Sequence, residues 1–146
     1  MNYEIRECLL MDADPIYELN CTEMGYDYPE EETRQRMKEL LSSDHDKIYV
    51  AVIDGNVVGY VHANDYNLIY APAMKNIMGI AVAGKYKRMG IGKALLAAVE
   101  NWAKDDGASG VRLVSGAMRK EAHVFYERCG YDGGKQQVNF KKYFVL

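Results

Sequence analysis

Apolar positions recur along this chain with two spacings, every second residue and every third or fourth. The first marks strands and the second marks helices. YEIREC, residues 3–8, alternates and predicts a first strand. MDADPIYELNCTEMG then predicts a helix, with Asp12 or Asp14 as its cap and Pro15 near its first turn. PEEETRQRMKELLSS, from Pro29, predicts a second helix, acidic at its start, with Leu40 and Leu41 toward its end. In KIYVAVIDGNVVGYVHAND two β-branched runs flank Asp54-Gly55, the pattern of a tight hairpin. Residues 66–73 read as a loop or a strand end. KNIMGIAV, residues 75–82, reads as a strand apolar enough to be central.

A helix is predicted from about 90 to 105, because Leu95, Leu96, Val99, Trp102 and Ala103 fit the 3.6 period. Gly107 and Gly110 end it. VRLVS, 111–115, predicts a short buried strand. A helix from about 119 to 129 gathers Ala122, Phe125, Tyr126 and Cys129 on one stripe, and Gly130 stops it. Tyr131 starts a further strand, and VNFKKYFVL forms the last. The predicted order is β α α β β β α β α β β. A hairpin together with strand–helix–strand units implies an α/β fold, a mixed sheet with helices on both faces.

The length of 146 residues fits one domain, and no repeat, linker or low-complexity segment divides it. Apolar residues make up 49% and charged residues 27%, which is globular composition. The net charge of −3 argues against a general nucleic-acid binder and makes a local basic cluster more informative. Cys8, Cys21 and Cys129 lack the spacing of a metal site or a disulfide framework, so packed, reduced thiols are expected and no metal. The charged N-terminus has no signal-peptide core, and no apolar run approaches ~18 residues. These features predict a cytoplasmic enzyme or binding domain, with no membrane partner.

One stretch carries chemistry. In YKRMGIGKALL, residues 86–96, Lys87, Arg88 and Lys93 crowd around Gly90 and Gly92 at a helix start. Such a start exposes unpaired N–H groups and about half a positive charge. Glycines let a ligand approach the backbone, and the combination suits a phosphate or pyrophosphate. Two familiar nucleotide loops do not fit. A Walker loop needs Ser or Thr after Gly-Lys, and Ala94 stands there; the dinucleotide fingerprint needs a third glycine, and Leu95 stands there.

A strand ending in GIAV, a short basic loop and GIGKALL together resemble motif A of the GNAT N-acetyltransferase superfamily. The motif's Q/R-x-x-G-x-G/A falls on Lys87-Arg88-Met89-Gly90-Ile91-Gly92, with Lys87 in the usual Gln/Arg place. AHVFYERCGY, 122–131, resembles the superfamily's later A-x-x-F-Y-E-x-x-G-F/Y motif at the expected separation. The resemblance covers residues 48 to 146 well and the first two helices by position only. It implies a GNAT-like fold, with a central, mostly antiparallel sheet of about six to seven strands.

The same resemblance implies transfer of an acetyl group from acetyl-CoA to an amine, by direct attack. Backbone N–H groups of Lys87, Arg88, Met89, Gly90, Ile91, Gly92 and Lys93 would bind the CoA pyrophosphate, with Lys85 adding attraction. The pantetheine arm would pair through backbone with Ile80, Ala81 and Val82, whose N–H groups also offer an oxyanion donor. Arg119 stands where many relatives carry an Asn that holds the CoA arm. Tyr126 stands where the superfamily's general acid stands, and a phenol with its ordinary pKa of ~10 can protonate the leaving thiolate.

The base is not marked. Many relatives carry a Glu where this chain has Met78, and water, Asp65 or His62 are the alternatives, with His123 a lesser one. MGYDYPEEE, 24–32, is the expected wall of the acceptor site. Asp27, Glu30, Glu31, Glu32, Tyr26 and Tyr28 would suit a cationic amine, small molecule or peptide, and equally an ordinary helix start. The alternative reading is a CoA-binding regulatory domain without turnover. A homodimer is common in such folds, and the last strand would offer its surface.

Overall fold

The computed structural model describes residues 2–145, in two units that meet in sequence at Leu113 and Val114. The first unit holds the sheet. β1 (Glu4–Glu7), β2 (Asp46–Ile53), β3 (Asn56–Leu68), β4 (Ala71–Val82) and β5 (Val111–Leu113) lie side by side in chain order. β1 to β4 pair antiparallel and β5 joins β4 in parallel, so the sheet is mixed and mostly antiparallel as expected. Asp54 and Gly55 both have positive φ, 49° and 79°, the backbone of the tightest hairpin turn. The segment left between loop and strand by its sequence belongs to strands: β3 runs to Leu68, β4 begins at Ala71, and Ile69-Tyr70 form an exposed tip.

Alternation decides which side chains meet which helices. α1 (Ala13–Glu23) and α2 (Glu30–Leu41) cover one face, where Ala13, Ile16, Leu19 and Met37 pack with Ile48, Val50, Tyr60 and Ala81. Cys8 lies in this cluster, and burial pushes its thiol up to about 12. α3 (Ile91–Asp105) covers the other face with Ile91, Leu95, Leu96, Val99 and Ala103, all buried at the predicted period. A side chain at Gly59 would put its Cβ 3.1 Å from the Ala81 carbonyl oxygen and 3.4 Å from Leu95 Cδ1, so the glycine lets the helix lie close to the sheet. α3 ends where predicted. Gly107 is left-handed at φ 74°, Ala108 N–H reaches back to the Ala103 carbonyl, and Gly107 N–H reaches Lys104.

One buried cation ties three elements together. Lys75 of β4 is 3% exposed, its Nζ donates to Asp65 of β3 and to Asp106 at the end of α3, and it sits 3.9 Å above the Trp102 ring. Burial alone would lower the Lys75 pKa, but its hydrogen bonds to Asp106 and Asp65 outweigh that and hold it above the ordinary value. The ammonium is therefore charged throughout the neutral range.

The second unit contains α4 (Lys120–Arg128), one residue shorter at each end than its sequence pattern, with Gly130 in the left-handed region at φ 93° just after it. The two closing strands do not form: among the described residues none beyond Arg128 is a strand, and the sheet has five strands where about six to seven were expected. VNFKKYFVL has strand-like composition, yet Val138, Phe140, Tyr143 and Phe144 are all exposed. Alternation selects a face for a strand but cannot supply the hydrogen-bonding edge that a strand requires.

Leu95 is fully buried against the sheet. Leu95→Ala is expected to lower stability by about 3 kcal/mol, read as a lower urea midpoint with unchanged slope.

Candidate active site

β4 changes character at a single residue. His62 pairs with Gly79 and Ala63 pairs with Ile77, so Met78 has no counterpart on β3 and forms a bulge. β5 pairs only with Lys75, Asn76 and Ile77. Beyond Ile77 the strand bends, and its outer edge has no strand partner among the described residues. Ala83 N–H donates to the Val58 carbonyl at 2.8 Å. By alternation Ala81 turns its own peptide groups the same way, toward Tyr60, its partner on β3. Ile80 and Val82 are left facing the open edge. Of the three residues expected to contact a ligand through backbone, these two can do so, while Ala81 is occupied within the sheet.

The basic loop follows directly. Gly84–Tyr86 form one tight turn, and the chain then passes through left-handed Arg88 (φ 66°) and Gly90 (φ 83°) into α3. Alternating left-handed residues turn successive N–H groups into a concave array that suits an anion. Ala94 N–H makes the first ladder bond, to the Gly90 carbonyl at 3.0 Å. Among the described residues no acceptor meets the amides of Arg88, Met89, Gly90, Ile91, Gly92 or Lys93. The Ile91 side chain is buried in the core and pins this loop, so only its backbone can meet a ligand. Arg88 and Lys93 are exposed. Lys87 lies 3.4 Å from Glu23, whose other oxygen accepts the Gly84 N–H at 3.0 Å. Glu23, at the end of α1, thus fastens the loop from outside. Nothing in the local sequence pattern marks it, because the contact joins residues 61 positions apart.

On the α1–α2 face a cavity of about 200 Å³ opens beside the bulge. Ile16, Met37 and Ile48 give it apolar walls, and Asn20, Tyr60 and His62 give it a polar end. Tyr60 Oη donates to Asn20 Oδ1, and burial pushes the phenol up to about 12. A Cβ at Gly79 would stand 3.6 Å from that hydroxyl, which locates the cavity's polar end against β4. Tyr28 and Arg36 stand among its lining residues, while Glu30, Glu31 and Glu32 are exposed in the first turn of α2. A larger groove, about 630 Å³, runs between α3 and the β1–β2 margin and takes only Ala94 from the motif stretch.

The candidate bases separate clearly. Burial would raise the Asp65 carboxyl, but hydrogen bonds from Lys75 and His45 prevail and hold it below the usual carboxylate range. It is a structural anion, not a proton acceptor at neutral pH. Met78 is 58% exposed and offers no titrating group. His62 Nε2 lies 2.8 Å from Asp46 Oδ1.

In the second unit, Arg119 immediately precedes α4 and Tyr126 is half-buried on its stripe. The Tyr126 ring lies 5.3 Å from Phe125 and meets Tyr131 edge-on at 6.3 Å. Burial pushes its hydroxyl above the ordinary phenol value, and nearby Arg119 only partly offsets this. Tyr126 is therefore protonated at neutral pH. His123 Nε2 donates to the Gly116 carbonyl at 2.9 Å, holding the turn before the helix.

Residues 13–131 match the profile of the Acetyltransferase (GNAT) family, and the chain belongs to that family. It is 34% identical over 103 residues to an N-alpha-acetyltransferase of Sulfurisphaera tokodaii, a match covering 66% of this chain and 59% of that protein. It is also 28% identical to an aminoalkylphosphonate N-acetyltransferase of Salmonella typhimurium, over 88% of this chain and 84% of the relative. Among solved structures it resembles the aminoglycoside acetyltransferase AAC(6')-Iy, in complex with a bisubstrate analogue of CoA, at a TM-score of 0.87 and 18% identity, covering 99% of this chain and 100% of the other. That likeness is one of fold.

Gly90→Ala forces a side chain into the left-handed region at the head of α3. It is expected to cost about 1–2 kcal/mol in urea denaturation, whereas an alanine at Gly92, which lies inside the helix, escapes that penalty.

Proposed function

We propose that this chain transfers the acetyl group of acetyl-CoA to a primary amine. The observation that carries the reading is the continuity of two features within residues 78–93: an open strand edge at Ile80 and Val82, then a run of unbonded amides from Arg88 to Lys93. The first matches the amide groups of an extended pantetheine arm. The second matches the doubly charged pyrophosphate at the arm's end.

Acetyl-CoA supplies an activated thioester. The protein's part is to hold and polarise it. The backbone of Arg88, Met89, Gly90, Ile91, Gly92 and Lys93 holds the diphosphate, whereas the Lys87 N–H, expected to join them, is taken by the Gly84 carbonyl; the exposed Arg88 and Lys93 side chains attract the diphosphate over a distance set by salt. Ile80 and Val82 pair with the arm, and an N–H of this edge faces the charge that develops on the acetyl oxygen. Arg119 supports the CoA arm. Tyr126, kept protonated by burial, supplies the proton for the departing sulfur. The family match runs through both units, which supports one acetyltransferase domain over residues 1–146.

The acceptor enters the cavity under α1 and α2. Its volume of about 200 Å³ lies below the usual range for drug-sized ligands. A compact amine, or the end of a peptide chain, fits that space better than a multi-ring antibiotic. The reading is of a cytoplasmic enzyme; among the described residues no helix is long and apolar enough to cross a membrane.

Gly92→Glu puts bulk and negative charge where the diphosphate binds, and is expected to weaken acetyl-CoA binding at least ~100-fold by calorimetry; unchanged affinity would remove the loop from the account. Tyr126→Phe is expected to lower kcat about 10²-fold with acetyl-CoA affinity nearly kept. Parent-like turnover in that variant would take Tyr126 out of the mechanism.

A further inference from the structure

We infer that His62, oriented by Asp46, is the base that takes the proton from the acceptor ammonium; this rests on the acetyl-transfer reading above. Four observations converge. His62 stands directly opposite Gly79, next to the bulge where β4 turns its edge outward. Its ring lines the acceptor cavity alongside Tyr60 and Asn20. Its Nε2 lies 2.8 Å from Asp46 Oδ1, and the two side chains are only 17% and 12% exposed. Nδ1 has no hydrogen-bond partner among the described residues.

The tautomer follows from the pairing. A carboxylate only accepts, so the shared proton sits on Nε2 and the lone pair is left on Nδ1. An imidazole held by a carboxylate in this way is fixed in orientation and tautomer, with the Nδ1 lone pair left to accept a proton. The groups that face His62 are few. Asp46 comes from β2, Tyr60 from its own strand, Tyr28 from the connection before α2, and Arg36 from α2, itself paired with Glu39. Asp46 is thus the carboxylate in contact with the ring, and Arg36 is the one cation among the cavity's lining residues.

The step balances as follows. The ammonium gives one proton to Nδ1, and the freed nitrogen lone pair forms the C–N bond to the acetyl carbon. The C–S bond breaks, and its electron pair leaves on sulfur, which takes a proton from the Tyr126 hydroxyl. The new amide nitrogen loses its surplus proton, which restores the Tyr126 phenol by way of water. His62 releases the first proton to solvent. One proton is released for each acetyl group moved.

A pair that merely fastened β2 to β3 would affect stability and leave the pH profile alone, so the profile is the discriminating readout. Thiol release is measured against a panel of compact primary amines from pH 5.5 to 9.5, for the parent, His62→Gln and Asp46→Asn. The parent is expected to show a rate limb rising with pH. His62→Gln should lose that limb and about 10²-fold in kcat/KM, with acetyl-CoA affinity kept. Asp46→Asn should keep the limb but lose about tenfold in kcat/KM, because the ring loses the carboxylate that orients it. If the parent releases no thiol with any amine, the transfer reading itself fails. If the parent turns over and His62→Gln keeps its rate and limb, only the base assignment is overturned. Should His62→Gln lose acetyl-CoA binding through misfolding, parent-like kcat/KM in Asp46→Asn overturns it instead.

Discussion

Everything proposed for this chain depends on β4 being paired on both sides up to Ile77 and on one side after it. The unmatched Met78 makes that change. Before the bulge the strand is an interior member of the sheet, with β3 on one side and β5 on the other. After it, Ile80 and Val82 keep their N–H and C=O groups in reserve on the open side. An exposed strand edge invites indiscriminate pairing, which proteins limit by keeping edges short. Here the free portion spans a few residues and ends at once in a basic loop. A short, extended, amide-bearing ligand fits such an edge, and a long foreign strand does not.

That edge is useful only if it is rigid, and three separate arrangements hold it. Gly59 lets α3 settle against the sheet beneath it. Lys75, clasped by Asp65, Asp106 and the Trp102 face, fixes the strand just before the bulge to the far end of the same helix. Glu23 fastens the turn at Gly84 just after it. Strand and helix start are thus fixed on both sides of the place where the ligand would lie, and their amides need no rearrangement to meet it. Preformed donors of this kind are most effective where charge develops during a reaction.

The features readable from the sequence were those with a local cause. The Asp54-Gly55 turn, the apolar stripe of α3 and its glycine stop each follow from a few adjacent residues, and the positive φ at Gly90 explains why that loop stands out. The bulge has no such signature. IMGIAV, residues 77–82, is apolar throughout, so its periodicity gives no sign that one residue slips out of register. The direction of the Ala81 peptide groups follows from the bulge and was equally hidden. His62 and Asp46 are sixteen positions apart and meet only because β2 and β3 pair. The closing segment erred in the opposite sense: its composition promises strands, but a strand is a relationship with a neighbour, and composition describes one side of it.

The buried thiol of Cys8 has a practical bearing on chemistry that liberates a thiol as product. Reagents that count free sulfhydryls react with thiolates, and a thiol held near 12 within the core is almost wholly un-ionised at assay pH. Cys21 and Cys129 are only partly covered. A colorimetric trace would therefore begin with an offset of at most two equivalents per chain from these two cysteines, and Cys8 would join them only once the fold opened. The size of that offset is itself a gauge of whether the protein in the cuvette is intact.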